Sequence, residues 1–158
     1  MIVHPIPPLF DENSKTLILG SFPSVKSREA AFFYGHPQNR FWSVLAQLHG
    51  VPKPKTVEEK KKLVLENNLA LWDVIASCEI VGSSDSSITD VTANDLSIII
   101  ENSKVDRIFV NGKTAEKYYN KFTYPKTRIK AICLPSTSPA NAAWKLEKLV
   151  DAWKIIKE

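Results

Sequence analysis

Asn39 and the aromatic residues just before it are the side chains of this sequence best suited to chemistry. They belong to a long polar and aromatic stretch, residues 20–42. An Asn side chain carries an uncharged carbonyl acceptor and an amide donor, so it can orient a water molecule or hydrogen-bond the polar edge of a purine or pyrimidine. Aromatic rings beside it can stack on such a base. The stretch therefore predicts a site for a flat heterocycle.

Simpler roles exist for the same amides. Asn39 precedes a helical pattern, so its side chain can cap that helix. A second amide, Asn111, stands directly before Gly112, and Asn-Gly is a frequent turn pair. Both roles stay open from the residues alone.

Several common kinds of site are missing from the sequence. It contains no Ser-His-acid order, no Walker-type loop and no Gly-x-Gly-x-x-Gly pattern, which argues against phosphoryl transfer and dinucleotide binding. Cys78 and Cys133 lie far apart, and the three histidines have no ligand spacing with them. We therefore expect no metal site and no cofactor.

Four short apolar segments, separated by helical patterns, position these residues. The predicted strands are residues 16–19, 69–72, 105–110 and 129–134, and the predicted helices are residues 40–49, 56–67, 92–102, 115–122 and 140–157. The Ser- and Asp-rich residues 77–89 lack periodicity and predict a long loop.

This alternation predicts an α/β fold with a parallel sheet and helices on both faces. Three predicted strands end in polar loops, at residues 20–23, 111–113 and 134–136. Parallel strands point the same way, so these loops should meet at one edge of the sheet, where such folds bind ligands.

Composition limits the class of protein more than its function. The chain has 158 residues, 44% of them hydrophobic, with a formal charge of +4. We expect a single domain, residues 1–158, without a membrane span or a secretion signal, and a cytoplasmic location. The basic balance favours an anionic partner such as nucleic acid only weakly.

Three motifs give the chain a family resemblance. They are Gly20-Ser21-Phe22-Pro23-Ser24, then Tyr34-Gly35-His36-Pro37-Gln38-Asn39-Arg40-Phe41-Trp42, and Leu134-Pro135-Ser136 before the last helix. Together they resemble the uracil-DNA glycosylase superfamily, and most closely its hypoxanthine-DNA glycosylases. The resemblance implies a three-layer α/β/α sandwich around a central four-stranded parallel sheet.

The same resemblance implies roles around the base. In the mismatch-specific uracil branch an Asn of the first motif places the hydrolytic water, but here Phe22 stands at that position. The hypoxanthine branch instead implies Asn39 as the catalytic residue. Asn111 matches a residue that hydrogen-bonds the base edge, and Tyr34 matches one that stacks on the base. Phe33 and Phe22 are alternatives for stacking, and the backbone of Ser21 and Phe22 can add hydrogen bonds.

The resemblance also implies contacts with DNA. Leu134 matches a side chain that wedges into the space left by a flipped nucleotide, although a buried strand residue is the simpler role. Phosphate contacts are expected from the other members of a DNA-binding set: Ser24, Arg40, Lys113, Pro135, Ser136, Thr137 and Ser138.

These observations predict a monofunctional, monomeric DNA glycosylase that removes hypoxanthine from DNA. A uracil or mismatch-specific glycosylase is the first alternative. A catalytically silent nucleic-acid-binding domain of the same fold and an enzyme of free nucleosides are the others.

Overall fold

The computed structural model describes residues 1–158 and contains two β-sheets. The strands are β1 (Ile2–Val3), β2 (Thr16–Gly20), β3 (Leu69–Asp73), β4 (Ile75–Glu79), β5 (Thr89–Ala93), β6 (Arg107–Asn111) and β7 (Ala131–Leu134). The α-helices are α1 (Val25–Ala30), α2 (Phe41–Leu48), α3 (Val57–Glu66), α4 (Ser97–Ile100), α5 (Lys113–Tyr118), α6 (Tyr124–Thr127) and α7 (Leu146–Trp153).

The larger sheet is the parallel one that the sequence predicts. Its four strands run in the order β3-β2-β6-β7, and every neighbouring pair is parallel. Strand β2 is buried along its whole length, as expected for a sheet covered on both faces. The predicted four-stranded sheet and α/β sandwich are therefore confirmed.

The alternation of side chains along β2 separates two cores. Ile18 points to one face and packs in a cluster with Phe41 and Trp153, which belong to α2 and α7. Leu17 and Leu19 point to the other face and pack with residues such as Tyr119. The sheet thus forms the middle layer between two hydrophobic cores.

The second sheet was not predicted. The prediction of a long loop at residues 77–89 is also wrong in part. Strand β4 lies between β1 and β5, and both pairings are antiparallel. Strand β5 has no buried residue, and its Thr and Asp side chains give no hydrophobic alternation. Sequence periodicity misses a strand of this kind.

Two helix starts differ from the prediction, and one helix was not predicted. Thr92 belongs to β5, and the helix after it is only α4, whose first N–H bonds to Asp95 Oδ1 at 3.0 Å. The last helix begins at Leu146 instead of residue 140, because turns occupy the preceding residues. Helix α1 was missed although Ser24 caps it by accepting the Ser27 N–H.

Helix α3 follows its sequence signal closely. Thr56 accepts a hydrogen bond from the Glu59 N–H at 3.1 Å, and the Glu59 carboxylate accepts one from the Thr56 N–H at 3.3 Å. This is the predicted capping box, which satisfies two free N–H groups at the helix start.

Candidate active site

The carboxyl ends of the four parallel strands form one side of a cavity of about 550 Å³. Gly20 ends β2, Asp73 ends β3, Asn111 ends β6, and all three contribute to the cavity wall. The loop after β7 closes the wall through Ser136, and so the predicted meeting of polar loops at one edge is present in the structure.

Most of the predicted site residues line this cavity. They are Ser21, Phe22, Ser24, Phe33, Tyr34, Asn39, Asn111, Ser136, Thr137 and Ser138. The predicted residues outside its lining are Arg40, Lys113, Leu134 and Pro135. Most cavity residues come from loops or strand ends, where parallel sheets usually bind ligands, and Ser27 of α1 adds to them.

Asn39 stands one residue before Arg40, which is the N-cap residue of α2, so Asn39 is not itself the N-cap that its position suggested. Its Oδ1 accepts a hydrogen bond from the Phe41 N–H at 2.9 Å, which holds the side chain at the start of α2. The Phe41 N–H fixes the orientation of the amide, because the opposite orientation would place two donors against each other. The same side chain lines the cavity, so one lone pair of Oδ1 and the amide hydrogens remain for a ligand.

Tyr34 lies between Phe41 and the cavity. Its ring stacks on Phe41, with centroids 4.0 Å apart and planes inclined by 20°. Its backbone has a φ of 52°, a left-handed conformation that is rare for a bulky residue and that fixes the direction of the side chain. The position of the ring against the cavity is therefore determined by both packing and backbone.

The Tyr34 hydroxyl is buried and has no hydrogen-bond partner in the protein. Burial, followed by the negative charge of Asp73, raises the pKa of this hydroxyl well above its ordinary value, against a weaker opposite effect of the Asn111 amide. The group therefore stays protonated and remains a donor.

Phe22 and Phe33 complete the aromatic wall. Phe22 is 8% exposed, meets the His4 ring edge-on at 5.9 Å, and has the Arg28 guanidinium 5.6 Å from its ring centre. Phe33 is almost fully buried, and its carbonyl accepts a hydrogen bond from Trp42 Nε1.

Asn111 is held by Thr137. Its Nδ2 donates to Thr137 Oγ1 at 3.0 Å, and its Oδ1 accepts from the Thr137 N–H at 3.1 Å. Both polar atoms of the amide therefore already have partners in the loop after β7. This geometry does not support a simple turn at Asn111, and it leaves the amide less free for a ligand than expected.

Arg40 is bound inside the protein, which does not fit the predicted phosphate contact. Its guanidinium donates to four backbone carbonyl groups of one loop, those of Thr137, Ser138, Asn141 and Trp144. Because its donors are already occupied by these carbonyls, Arg40 is a structural anchor for that loop.

Leu134 also lies away from the predicted contact. It is 4% exposed and packs in the core cluster, so it cannot enter a DNA base stack without leaving the core. Pro135 presents its carbonyl to Trp153 Nε1 at 3.0 Å, pointing inward. Lys113 is exposed at the start of α5, outside the cavity.

Sequence reasoning missed two acidic residues of the cavity, Asp73 and Asp85. Asp73 is 4% exposed, and its Oδ2 lies 2.7 Å from His4 Nε2. Asp85 lies in the serine-rich segment before β5, with Oδ1 3.5 Å from Ser21 Oγ. Asp73 directly follows the predicted strand at residues 69–72. The expectation that polar residues after parallel strands meet at one edge of the sheet, which includes Asn111, could therefore have identified Asp73 as well.

A family model described as the uracil DNA glycosylase superfamily matches residues 7–157. The chain belongs to this superfamily. The match covers both cores and every residue of the cavity wall, so the glycosylase assignment rests on the domain as a whole and not on its motifs alone. DNA is accordingly the class of substrate for this family of hydrolases.

Two relatives of this chain carry the name of one glycosylase. A hypoxanthine DNA glycosylase of Methanosarcina acetivorans is 37% identical over 143 residues, which is 89% of each chain. A hypoxanthine DNA glycosylase of Methanosarcina barkeri is 32% identical over 114 residues, 71% of this chain and 72% of the relative.

A solved structure matches the glycosylase fold over the whole chain. It is a solution NMR structure of a Methanosarcina acetivorans protein provisionally assigned as a uracil DNA glycosylase. The TM-score is 0.81, the sequences are 31% identical, and the match covers 100% of both chains.

The glycosylase domain has no group of three or more His, Cys, Asp or Glu side chains that could hold a metal ion. None of its helices has the length and apolar character needed to cross a bilayer.

Proposed function

We propose that this protein is a monofunctional DNA glycosylase that excises hypoxanthine, the product of adenine deamination, in base excision repair. The observation that carries the proposal is the cavity at the strand ends, which combines an oriented Asn39 amide with an aromatic wall and buried polar groups. The hypoxanthine glycosylases among its relatives support the choice of base. The cavity volume, about 550 Å³, lies within the range of sites for small ligands, roughly 300–1,000 Å³.

The target base must leave the duplex to reach this cavity. The walls of the cavity come mainly from strand ends and enclosing loops, so a base still stacked in DNA cannot reach the inside. We therefore infer that the nucleotide is flipped out of the duplex. Tyr34, Phe22 and Phe33 form the wall against which the base lies. We propose a monomer as the active form.

Hydrolysis in this site requires a water molecule aimed at C1′ of the sugar. One lone pair of Asn39 Oδ1 accepts the Phe41 N–H, and the second can accept a hydrogen from that water. An amide is too weak a base to remove the proton early. The C1′–N9 bond therefore breaks first, and its electron pair leaves with the base.

The sugar then carries an oxocarbenium-like positive charge. The water oxygen bonds to C1′, its proton passes to solvent, and an abasic site remains in the strand. This sequence of steps uses no lysine Schiff base.

Phosphate contacts belong to the rim of the cavity in this proposal. Ser136 and Ser138 lie along the wall and can offer hydroxyl donors to phosphates. Ser24 also lies there, but its hydroxyl donates to Ser27 Oγ. Thr137 is fully buried and its N–H donates to Asn111 Oδ1, so the phosphate contact expected of Thr137 does not fit the structure. Lys113 is exposed near this rim and adds charge. Arg40 contributes indirectly, because it fixes the loop that carries Thr137 and Ser138.

The test uses duplex oligonucleotides with a single deoxyinosine, uracil, xanthine or no lesion, followed by alkaline cleavage of abasic sites. We expect cleavage at deoxyinosine that weakens as salt is raised, because phosphate contacts release counterions. Exposed Asn120 provides a matched control, Asn120→Ala, for changes at Asn39.

The other outcomes separate the alternatives. Cleavage mainly at uracil would identify a uracil glycosylase, the provisional assignment of the related solution structure. Release of base from free deoxyinosine, with no effect of salt, would identify a nucleoside enzyme. DNA binding without any cleavage would leave a silent binding domain.

A further inference from the structure

The cavity wall includes Asp73, one member of a buried His-Asp pair. Asp73 and His4 have side chains only 6% and 3% exposed, and His4 Nε2 lies 2.7 Å from Asp73 Oδ2. Asp73 lines the cavity, whereas His4 lies behind it. A buried carboxylate is costly unless other groups hydrogen-bond it, so its presence beside a ligand cavity needs a reason.

The hydrogen bonds of His4 define its proton position. The Ile6 N–H donates to His4 Nδ1 at 3.2 Å, so Nδ1 must be the unprotonated nitrogen. The proton is then on Nε2, which donates it to Asp73. His4 is therefore neutral, and the charge of the Asp73 carboxylate is not compensated by this partner.

The second oxygen of Asp73 lies over Gly20. A Cβ atom on Gly20 would be 2.4 Å from Asp73 Oδ1 and 3.3 Å from the Tyr34 hydroxyl oxygen, so both atoms approach the same point. The Tyr34 hydroxyl is the buried donor that has no partner in the protein. A charged acceptor and an unpaired donor are thus close neighbours at the end of the cavity.

Asn111, the residue expected to bind the base edge, is already held by Thr137 through both of its polar atoms. A ligand that forms hydrogen bonds with both Asp73 Oδ1 and the Tyr34 hydroxyl must carry a donor and an acceptor side by side. The N1–H and O6 of hypoxanthine are such a pair, whereas adenine presents an acceptor at N1 and a donor at position 6.

We propose that Asp73 Oδ1 accepts the N1–H of the flipped hypoxanthine and that the Tyr34 hydroxyl donates to O6. His4 is a positioning residue, because it holds Asp73 in place without touching the base. Tyr34 then meets the base through its hydroxyl, while its ring stays stacked on Phe41. This inference rests on the proposed function and names the groups that distinguish deaminated from normal adenine.

The first test compares substrates in single-turnover reactions of the unmodified protein. One duplex carries deoxyinosine, and the other carries the deoxynucleoside of unsubstituted purine, which lacks both the N1–H and O6. We expect deoxyinosine to react at least tenfold faster, the effect of one or two lost hydrogen bonds to charged or buried groups. Equal rates would overturn the inference while leaving the glycosylase activity intact.

The second test uses variants. Tyr34→Phe keeps the ring against Phe41, and Asp73→Asn keeps an acceptor for His4 but turns an amide donor toward the base. Each should slow deoxyinosine cleavage about 10- to 100-fold and reduce the preference over the purine substrate. Asp106→Asn, at an exposed ion pair with Lys15, is the matched control.

The third test separates positioning from packing at His4. Gln retains a side-chain N–H donor, so His4→Gln should keep more of the preference for deoxyinosine than His4→Leu. A loss of activity on both substrates in equal proportion, in variants that fold normally by circular dichroism, would contradict the assignment. No activity of the unmodified protein on deoxyinosine would instead refute the proposed function.

Discussion

Asn39 Oδ1 and the Phe41 N–H are 2.9 Å apart, which joins the proposed catalytic amide to the first turn of α2. The helix thus fixes the direction of the amide, and the amide satisfies one of the free N–H groups of the helix. A change at Asn39 therefore affects both stability and activity, and the two effects require different variants.

Replacing Asn39 by Ala and by Ser separates these effects. Ser can still accept the helix N–H, so Asn39→Ser should preserve stability, while Asn39→Ala should lower the free energy of unfolding by about 1 kcal/mol. Both remove the amide that orients water and should slow deoxyinosine cleavage about 100-fold or more. Urea denaturation and single-turnover rates measure the two effects. A Ser variant with full activity would show that capping is the whole role of Asn39.

Arg40 should contribute more to the stability of the protein than to its affinity for DNA. Its guanidinium donates to four carbonyl groups, so Arg40→Met should lower the free energy of unfolding by about 2 kcal/mol or more. Lys130→Met removes one exposed positive charge without such bonds and is the control for charge. If Arg40→Met loses more DNA affinity than Lys130→Met and neither variant loses stability, Arg40 is a phosphate contact after all.

Gly112 should resist substitution for two reasons. Its φ is +94°, and a Cβ would lie 3.1 Å from Ser136 Cβ in the cavity wall. Gly50 has a φ of +64° but nothing within 4 Å, so Gly50→Ala measures backbone strain alone. We expect Gly112→Ala to cost about 1–3 kcal/mol and to exceed the cost of Gly50→Ala. Thermal unfolding of both variants checks the order, and a smaller loss at Gly112 would show that the Ser136 loop moves easily.

His49 should make the protein less stable in mild acid. Burial, followed by the nearby Lys157 ammonium, lowers the pKa of His49 below its usual value of 6.5. The unfolded chain therefore takes up a proton at a higher pH than the folded protein does, and stability is lost as the pH falls below about 6.5. Urea midpoints at pH 7.5 and 5.5 measure the loss.

Two variants identify the source of this pH effect. His49→Gln should remove the part of the stability difference between pH 7.5 and 5.5 that His49 causes, because Gln does not titrate. Lys157→Met should reduce the difference, since Lys157 is held beside the helix end by a 2.8 Å hydrogen bond to the Leu48 carbonyl. An unchanged difference in both variants would assign the effect to other groups.

Local sequence signals predicted the correct element wherever its structure depends on one buried face or on one helix terminus. The apolar run at β2, the Thr56–Glu59 capping box and the apolar spacing of α2 each predicted an element that the structure contains. The polar strands β4 and β5 gave no such signal. Their pairing depends on backbone hydrogen bonds, which side-chain periodicity does not record.

The residues of the candidate site divide in the same way. The sequence by itself determined the parallel sheet, the loops that meet at its edge and the presence of Asn39, Tyr34 and Asn111 in one place, because strand direction follows from the alternation of strands and helices. Tertiary structure alone decided which polar atoms of the site have partners within the protein and which remain free to bind a ligand. Contacts between residues distant in sequence pair Asn111 with Thr137, Arg40 with its loop and Asp73 with His4, and no local pattern reveals which partner a polar atom takes.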